Sequence, residues 1–357
     1  MLEEWVQNSR AFSIPLLFII FISSSRGNPK WKMKESGERE STSPRSFKSD
    51  ELFRSNWFCK LAATSIWLGS VHFTLGLLVL SILVLPLSGF LWILTSLLVL
   101  SIIPINPNSR LGRRLCGYIC RHAASYLPIT LHVEDFDAFH SDQAYVFGYE
   151  PHSVWPIGVV ALSDLVGLLP LTKIKVLASS AVFVMPFLRH IWTWCGLTSA
   201  SKRNFCDLLD SGYSCIVVPG GVQEVFFMEH DLEVCFLSKR KGFVKIAMEK
   251  GVPLVPVFSF GQSNVYKWWK PCGKYFMKLC RAIKFTPIIF WGLLGSPVPF
   301  QNPIHVVVGK PINVVKSHNP TIDEVDKVHK EFVDALKILV EKYKVLLGFE
   351  DLEFKII

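Results

Sequence analysis

The sequence predicts an α/β fold, a mixed sheet covered by helices, preceded by an N-terminal helical hairpin that is transmembrane or re-entrant. Three observations predict it. Leu61 to Leu85 holds no formally charged residue across 25 positions, which as helix reaches about 37 Å and covers a bilayer core. From Ile129 onward, short apolar runs alternate with helical patterns, the spacing of strands joined by covering helices. Half of the residues are hydrophobic and only 19% are charged, against about 25% in soluble domains. The chain divides into a polar N-terminal segment over 1–54 with a short apolar stretch at 11–22, a membrane hairpin over 55–108, and a cytosol-facing domain over 109–357.

Composition narrows the partners. Lys and Arg number 38 against 29 Asp and Glu, a net charge of +9, which suits an anionic membrane surface, nucleic acid or a phosphorylated substrate. Aromatics at 13%, with 11 Trp, favour an interfacial protein over a nucleic-acid binder, because indole and phenol rings settle at headgroup depth. The nine cysteines are an odd count without Cys-x-x-Cys spacing, so they read as reduced thiols facing the cytosol. Cys116 and Cys120 sit four apart on a helix. With no partner pair at finger-like spacing, buried apolar cysteine is the better reading than half a metal site.

Taken in order, Ala11 to Ile22 is too short an apolar run to span a bilayer, and Glu3 and Glu4 are wrong for the basic start of a signal peptide. Met33 to Arg54 is polar and of mixed charge, and is expected to be disordered. After the charge-free span, Pro86 to Gly89 supplies a turn, and Phe90 to Ile105 returns as an arm of about 24 Å, closed by Pro104 and Pro107. An arm of that length fits a tilted or re-entrant hairpin. Arg110, Arg113, Arg114 and Arg121 follow and place the exit on the cytosolic side. Strands are expected at Thr130 to Val133, Gln143 to Tyr149, Ile174 to Ala178, Cys215 to Val218, Leu254 to Phe258 and His305 to Val308, with helices at Phe205 to Leu209 and Gly242 to Lys250. Thr321 to Glu324 reads as a capping box opening an amphipathic C-terminal helix. Val182 to Trp194 and Thr286 to Phe300 are short apolar pieces that either dip into one leaflet or belong to the core.

The residues that can carry chemistry fall in three blocks. Glu150-Pro151-His152-Ser153 closes a strand. An imidazole with an ordinary pKa near 6.5 accepts a proton from a hydroxyl at neutral pH and returns it to a leaving group, and strand alternation puts Glu150 on the same face, where it orients the ring. A structural histidine is the competing reading. Val217 to Glu224 runs an apolar strand into Gly220-Gly221, whose amides can approach an oxyanion or phosphate, with Glu224 within reach of a substrate hydroxyl. A plain turn is the bland alternative. Lys239-Arg240-Lys241 can hold the phosphates of coenzyme A, or is a solvated helix face. Lys267, Lys270, Lys274, Lys278, Arg281 and Lys284, interleaved with aromatics, form a stripe suited to a membrane surface.

At these blocks the sequence resembles the type-2 diacylglycerol acyltransferase family, its plant branch in particular, over residues 58–357. The carrying motifs are Tyr149 to Ser153, Arg189 to Gly196, Pro219 to Glu224, Lys241 to Phe243 and Pro253 to Gly261. Glu150 and Ser153 stand where animal members have histidine and glycine. The resemblance implies a glycerolipid acyltransferase-like fold in the 109–357 domain and transfer of an acyl group from acyl-CoA to diacylglycerol. It also implies residence in the endoplasmic reticulum membrane and on lipid droplets, with the catalytic side cytosolic. His152 and Glu224 are then the catalytic residues, and Glu150, Pro151, Ser153, Gly220, Gly221, Arg240 and Lys241 bind substrate. Acyl-CoA is a substrate, so no cofactor and no metal is expected. The partners are acyl-CoA, diacylglycerol and membrane lipids, not nucleic acid, with self-association left open. The aspartate that phospholipid acyltransferases place five residues after their histidine is replaced by Ile157. Another lipid alcohol as acceptor, monoacylglycerol or a fatty alcohol, remains the alternative, as does a non-catalytic hairpin protein of lipid droplets.

Overall fold

A computed structural model describes residues 44–357 apart from 54, 231, 272, 284 and 285. The expectations for the apolar run at 11–22 and for 33–43 lie outside the described residues. The disorder expected up to Arg54 is corrected within them, because Arg45–Lys48 (β1) pairs antiparallel with Ile129–Val133 (β2) and a single helical turn follows at Ser49–Leu52. A lone strand needs no core of its own when an existing edge supplies the backbone partners. Phe47 packs on Phe136 at 5.6 Å, and the buried Ser49 hydroxyl donates to the Ala124 carbonyl at 2.7 Å.

Trp57–Val84 (α1) is the expected long apolar helix, started by the Asn56 side chain accepting from the Cys59 N–H at 2.8 Å. Its two halves differ. Ala63, Thr64, Trp67, Leu68 and Ser70 are buried against Arg110–Tyr126 (α3) and Leu188–Trp194 (α4), whereas most large side chains from Phe73 to Val84 are exposed. The helix has the length and composition of a membrane span. The expected turn is shorter than four residues. Leu87–Ile102 (α2) begins directly after Pro86, so Gly89 lies inside a helix. Proline at a helix start loses no hydrogen bond, since the N–H it lacks has no partner there.

Among the described residues the main sheet has eight strands in the order β1-β2-β11-β8-β3-β6-β4-β5. Its parallel body is Leu254–Phe260 (β8), Val146–Glu150 (β3), Ser214–Val217 (β6), Ile174–Ala178 (β4) and Leu197–Ser199 (β5). Ile304–Val308 (β11) runs antiparallel to β8 and parallel to β2. Each expected strand is present, its ends displaced by no more than three residues. Alternation along the strands splits the core. Phe147, Tyr149, Val257 and Val306 join the cluster under α1 and α3, while Val146, Phe258 and Val307 join the cluster covered by Lys202–Asp210 (α5), Gly242–Lys250 (α7) and Ile322–Leu346 (α9). The capping box of α9 is formed, Thr321 and Glu324 satisfying each other's backbone. Gly148 faces α9 so closely that any Cβ there would collide with the Phe332 ring. Cys116, Cys120 and Cys195 are buried free thiols at the α3–α4 contact, as the apolar reading of the first two expected.

Candidate active site

Three neighbouring parallel strands end side by side, and the motifs singled out in the sequence lie in the loops that follow them. β3 is paired with β6 on one side and β8 on the other. His152 follows β3, Gly220-Gly221 follows β6 and opens Gly221–Phe227 (α6), and Gly261-Gln262 follows β8. Ligands of parallel α/β sheets bind outside these carboxyl ends.

Glu224 ties the first two loops together. Its side chain folds back over Gly220, where a Cβ would collide with the carboxylate, and this is why glycine is required there. One oxygen accepts from the His152 backbone N–H and the other from the Phe236 N–H at 3.0 Å. Glu224 is fully buried, and its hydrogen bonds reach the His152 loop through the backbone N–H, not through the imidazole. The third loop is tied in by Gln262, whose amide donates to the Pro151 carbonyl at 2.8 Å and to Ser153 Oγ at 3.3 Å while its oxygen accepts from Tyr149 O–H and Gly158 N–H.

The half-buried His152 ring is oriented by its own loop. Nδ1 lies 2.9 Å from the Ser153 carbonyl, which can only accept, so Nδ1 carries the proton and Nε2 the lone pair. Burial holds the ring below the usual imidazole pKa, against the Ser153 carbonyl and Glu224, which raise it. Neutral imidazole is the form a proton acceptor needs. Ser153 adopts φ +53°, a left-handed conformation that favours glycine, and its hydroxyl is engaged with Ser263 Oγ at 2.7 Å.

Glu150 does not orient the ring. β3 ends at Glu150 and its alternation ends there, the Glu150–Pro151 peptide being cis. The side chain points with Val146 and Gly148 toward the α9 face and is fully buried, both oxygens lacking a hydrogen-bond partner of good geometry. Its carboxyl, that of Glu224 and the Cys235 thiol, from Leu232–Cys235 (β7), lie within 4.8 Å of one another. That is a metal-like spacing, but Glu224 already accepts two N–H groups, and all three residues are closed to water. Burial first, then the Glu224 charge, pushes the Glu150 carboxyl well above the usual carboxylate range. Of the glycine pair, Gly220 is buried, whereas Gly221, at φ +52°, is half-exposed.

Of the basic residues, Arg240 stays close to the site. It donates to Gln223 Oε1 at 2.5 Å and stacks 4.9 Å over the Phe236 ring. Lys241 does not: its ammonium pairs with Asp326 of α9 at 2.6 Å. Arg113, expected at the membrane exit, is paired with Asp164 at 2.7 Å. Sequence reading missed Gln262, Ser263 and Glu233. The first two directly follow the Pro253 to Gly261 motif, and Gly261 at φ +78° is the signal for the turn that aims them inward. Glu233 accepts from Ser263 Oγ at 2.9 Å, and burial pushes it up to about 7.

A small apolar cavity of about 70 Å³ begins two residues beyond Ser153. Trp155, Pro156, Val159 and Val160 wall it on the loop side, Trp67 and Leu68 of α1 on another, and Cys120, Trp192 and Cys195 close it. His152 is not among its walls.

A carboxyl-edge site with an ordered histidine, next to an apolar cavity walled partly by a bilayer-length helix, defines an α/β enzyme fitted to apolar ligands. The chain belongs to the diacylglycerol acyltransferase family, whose model matches residues 82–356, and it is an acyltransferase. It is 31% identical over 266 residues to a Diacylglycerol O-acyltransferase 2 of Danio rerio, covering 67% of this chain and 71% of that one. A 2-acylglycerol O-acyltransferase 1 of Bos taurus is 31% identical over 66% of this chain and 75% of its own. A solved 1-acyl-sn-glycerophosphate acyltransferase of Thermotoga maritima aligns with 80% of this chain and 97% of its own, at 14% identity and TM-score 0.39.

Proposed function

We propose that the chain esterifies the free hydroxyl of diacylglycerol with the acyl group of acyl-CoA, and that His152 is the general base. The observation that carries this reading is the fixed tautomer. With Nδ1–H committed to the Ser153 carbonyl, the Nε2 lone pair is available to take the hydroxyl proton as the alcohol oxygen attacks the thioester carbon. The tetrahedral oxyanion is met by the Gly221 amide, and collapse breaks the C–S bond. The imidazolium returns its proton to the departing thiolate, giving triacylglycerol and coenzyme A. Ser153 is no nucleophile, since its hydroxyl is engaged with Ser263 and Gln262 rather than with the imidazole.

The apolar cavity takes an aliphatic tail, consistent with its Trp and Val walls and its position beside, not around, His152. The α1–α2 hairpin anchors the enzyme in the endoplasmic reticulum membrane with the domain on the cytosolic side, and the same hairpin suits a lipid-droplet monolayer. Exposed Arg110 and Arg114 support that orientation. Lipid bilayer and substrates are the partners this requires. Arg240 remains a candidate for the coenzyme A phosphates, and Lys241 becomes one only by exchanging Asp326 for phosphate.

Microsomes expressing His152→Ala, given labelled oleoyl-CoA and diacylglycerol, should lose about 10² to 10⁴ of the wild-type rate. Most activity retained in a stably expressed variant would remove His152 from the role. The bovine relative's name favours a second acceptor, and monoacylglycerol run in parallel separates the two by relative kcat/KM.

A further inference from the structure

We infer that the segment from Lys267 to Leu294 is a second lipid-contacting surface, laid flat on a leaflet with anionic headgroups beside the point where α1 enters it. This rests on reading α1 as a membrane helix, but on separate residues. Lys267–Trp269 (β9) and Ile289–Trp291 (β10) form an antiparallel ribbon in which Trp269 faces Ile289. Alternation sends Phe290 inward, onto His72 of α1 at 4.8 Å, and turns Trp269 and Ile289 outward, where they are mostly exposed. Between the strands, Lys274–Ile283 (α8) buries Cys280 but leaves an uncovered row at i, i+4 and i+8, Tyr275, Leu279 and Ile283, flanked by exposed Lys274 and Lys278. An apolar row rimmed by lysines is what an interfacial helix presents to acidic lipid.

The loop after β10 adds a fixed point of insertion. Leu294 is 97% exposed and held at φ +54°, a left-handed conformation that disfavours a non-glycine residue. The loop does not sag. Gly292 N–H donates to the Ser296 carbonyl and Leu293 N–H to the Val298 carbonyl, each at 2.7 Å, so the leucine stands at the tip of a closed turn. Pro297 of the same loop lies beside Gly69 of α1, where an added Cβ would come 3.9 Å from its ring, one turn before the mostly exposed half of that helix that starts at Phe73. Loop, ribbon and helix exit therefore meet at one level. Because α8 packs on α6, the helix that carries Glu224, this surface would hold the site at the lipid boundary.

The test uses the full chain reconstituted in phosphatidylcholine vesicles with and without phosphatidylglycerol, carrying a nitroxide at Leu294→Cys. Leu83→Cys on α1 and Ile322→Cys at the start of α9 serve as references, and the unsubstituted chain supplies the thiol background. The Leu294 label should collide with oxygen in preference to an aqueous nickel chelate, as the Leu83 label does, and the Ile322 label should do the reverse. Phosphatidylglycerol should deepen it, and Lys274→Glu with Lys278→Glu should abolish that increment. A Leu294 label in water while Leu83 lies in lipid overturns the inference and leaves the α1 reading intact. A Leu83 label in water overturns the α1 reading itself. Shielding of Leu294 from both reagents also overturns the inference, since it indicates cover by a second copy of the chain.

Discussion

The His152 site and the outer half of the α1–α2 hairpin are opposite solutions to the same problem of unpartnered atoms. Around His152 the loops are held by protein partners: Glu224 and Gln262 between them engage the backbone of His152, Phe236, Pro151 and Gly158. In the hairpin, apolar side chains such as Leu80, Leu83 and Trp92 are mostly exposed. The first region is specified by the protein against water, the second by a surrounding that the protein does not supply. A substitution in the site should therefore act on fold and chemistry together, and one in the outer hairpin should act on neither until a membrane is present.

The largest expected effect that sharpens this contrast is Glu224→Ala. Freeing the His152 loop should cost about 10² in kcat with KM little changed, and two orphaned N–H groups should cost roughly 1 to 3 kcal/mol of stability. Glu224→Gln should recover part of the rate, because an amide oxygen accepts one N–H while its NH₂ opposes the other. A fall in KM-dependent rate alone would show that Glu224 touches substrate after all. Gln262→Leu follows. It removes four hydrogen bonds without a change of charge and should lower stability by roughly 2 to 4 kcal/mol, read from denaturant melts in detergent. A neutral result would mean the β8 loop is not what holds Pro151.

Glu233 provides a pH test of the same region. Its folded value is pushed up to about 7 from 4.5, so the folded state holds the proton more tightly than the unfolded one. Its contribution is complete below about pH 4.5 and is lost as pH rises through about 7. The stability difference between wild type and Glu233→Gln should thus move by roughly 1 to 3 kcal/mol over that window, the variant gaining relative to wild type at high pH. A pH-independent difference would place Glu233 in contact with water. The smallest effect belongs to the hairpin. Leu83→Ser should leave detergent stability within about 0.5 kcal/mol, whereas Ala63→Leu, on the buried half of the same helix, should cost roughly 1 to 3 kcal/mol. Equal costs at the two positions would erase the contrast.

Much of the frame was legible in the chain. The apolar helix, the strand positions, the α9 capping box and the motif blocks are local or periodic properties, and the structure moves their ends by only a few residues. The exceptions are instructive. β1 was invisible because its stability comes from the edge of β2, not from its own composition, and the Pro86 turn was overestimated because proline and glycine are tolerated at the beginning of an apolar helix.

Sequence by itself determined that His152 follows a buried strand, that a glycine pair precedes Glu224, and that a charge-free helix comes before both, since each is written in adjacent residues. Only the tertiary structure decided what those residues do. Strand order in a parallel sheet is non-local, and it brings together Glu224 and His152, 72 positions apart, and Gln262 and Pro151, 111 apart. That convergence placed the Glu224 carboxylate on the His152 backbone. It sealed Glu150 behind the sheet and handed the ordering of the loop to Gln262. A hydrogen bond requires two groups within about 3 Å in a set direction, and no spacing along a chain encodes that until the strands between them are in place.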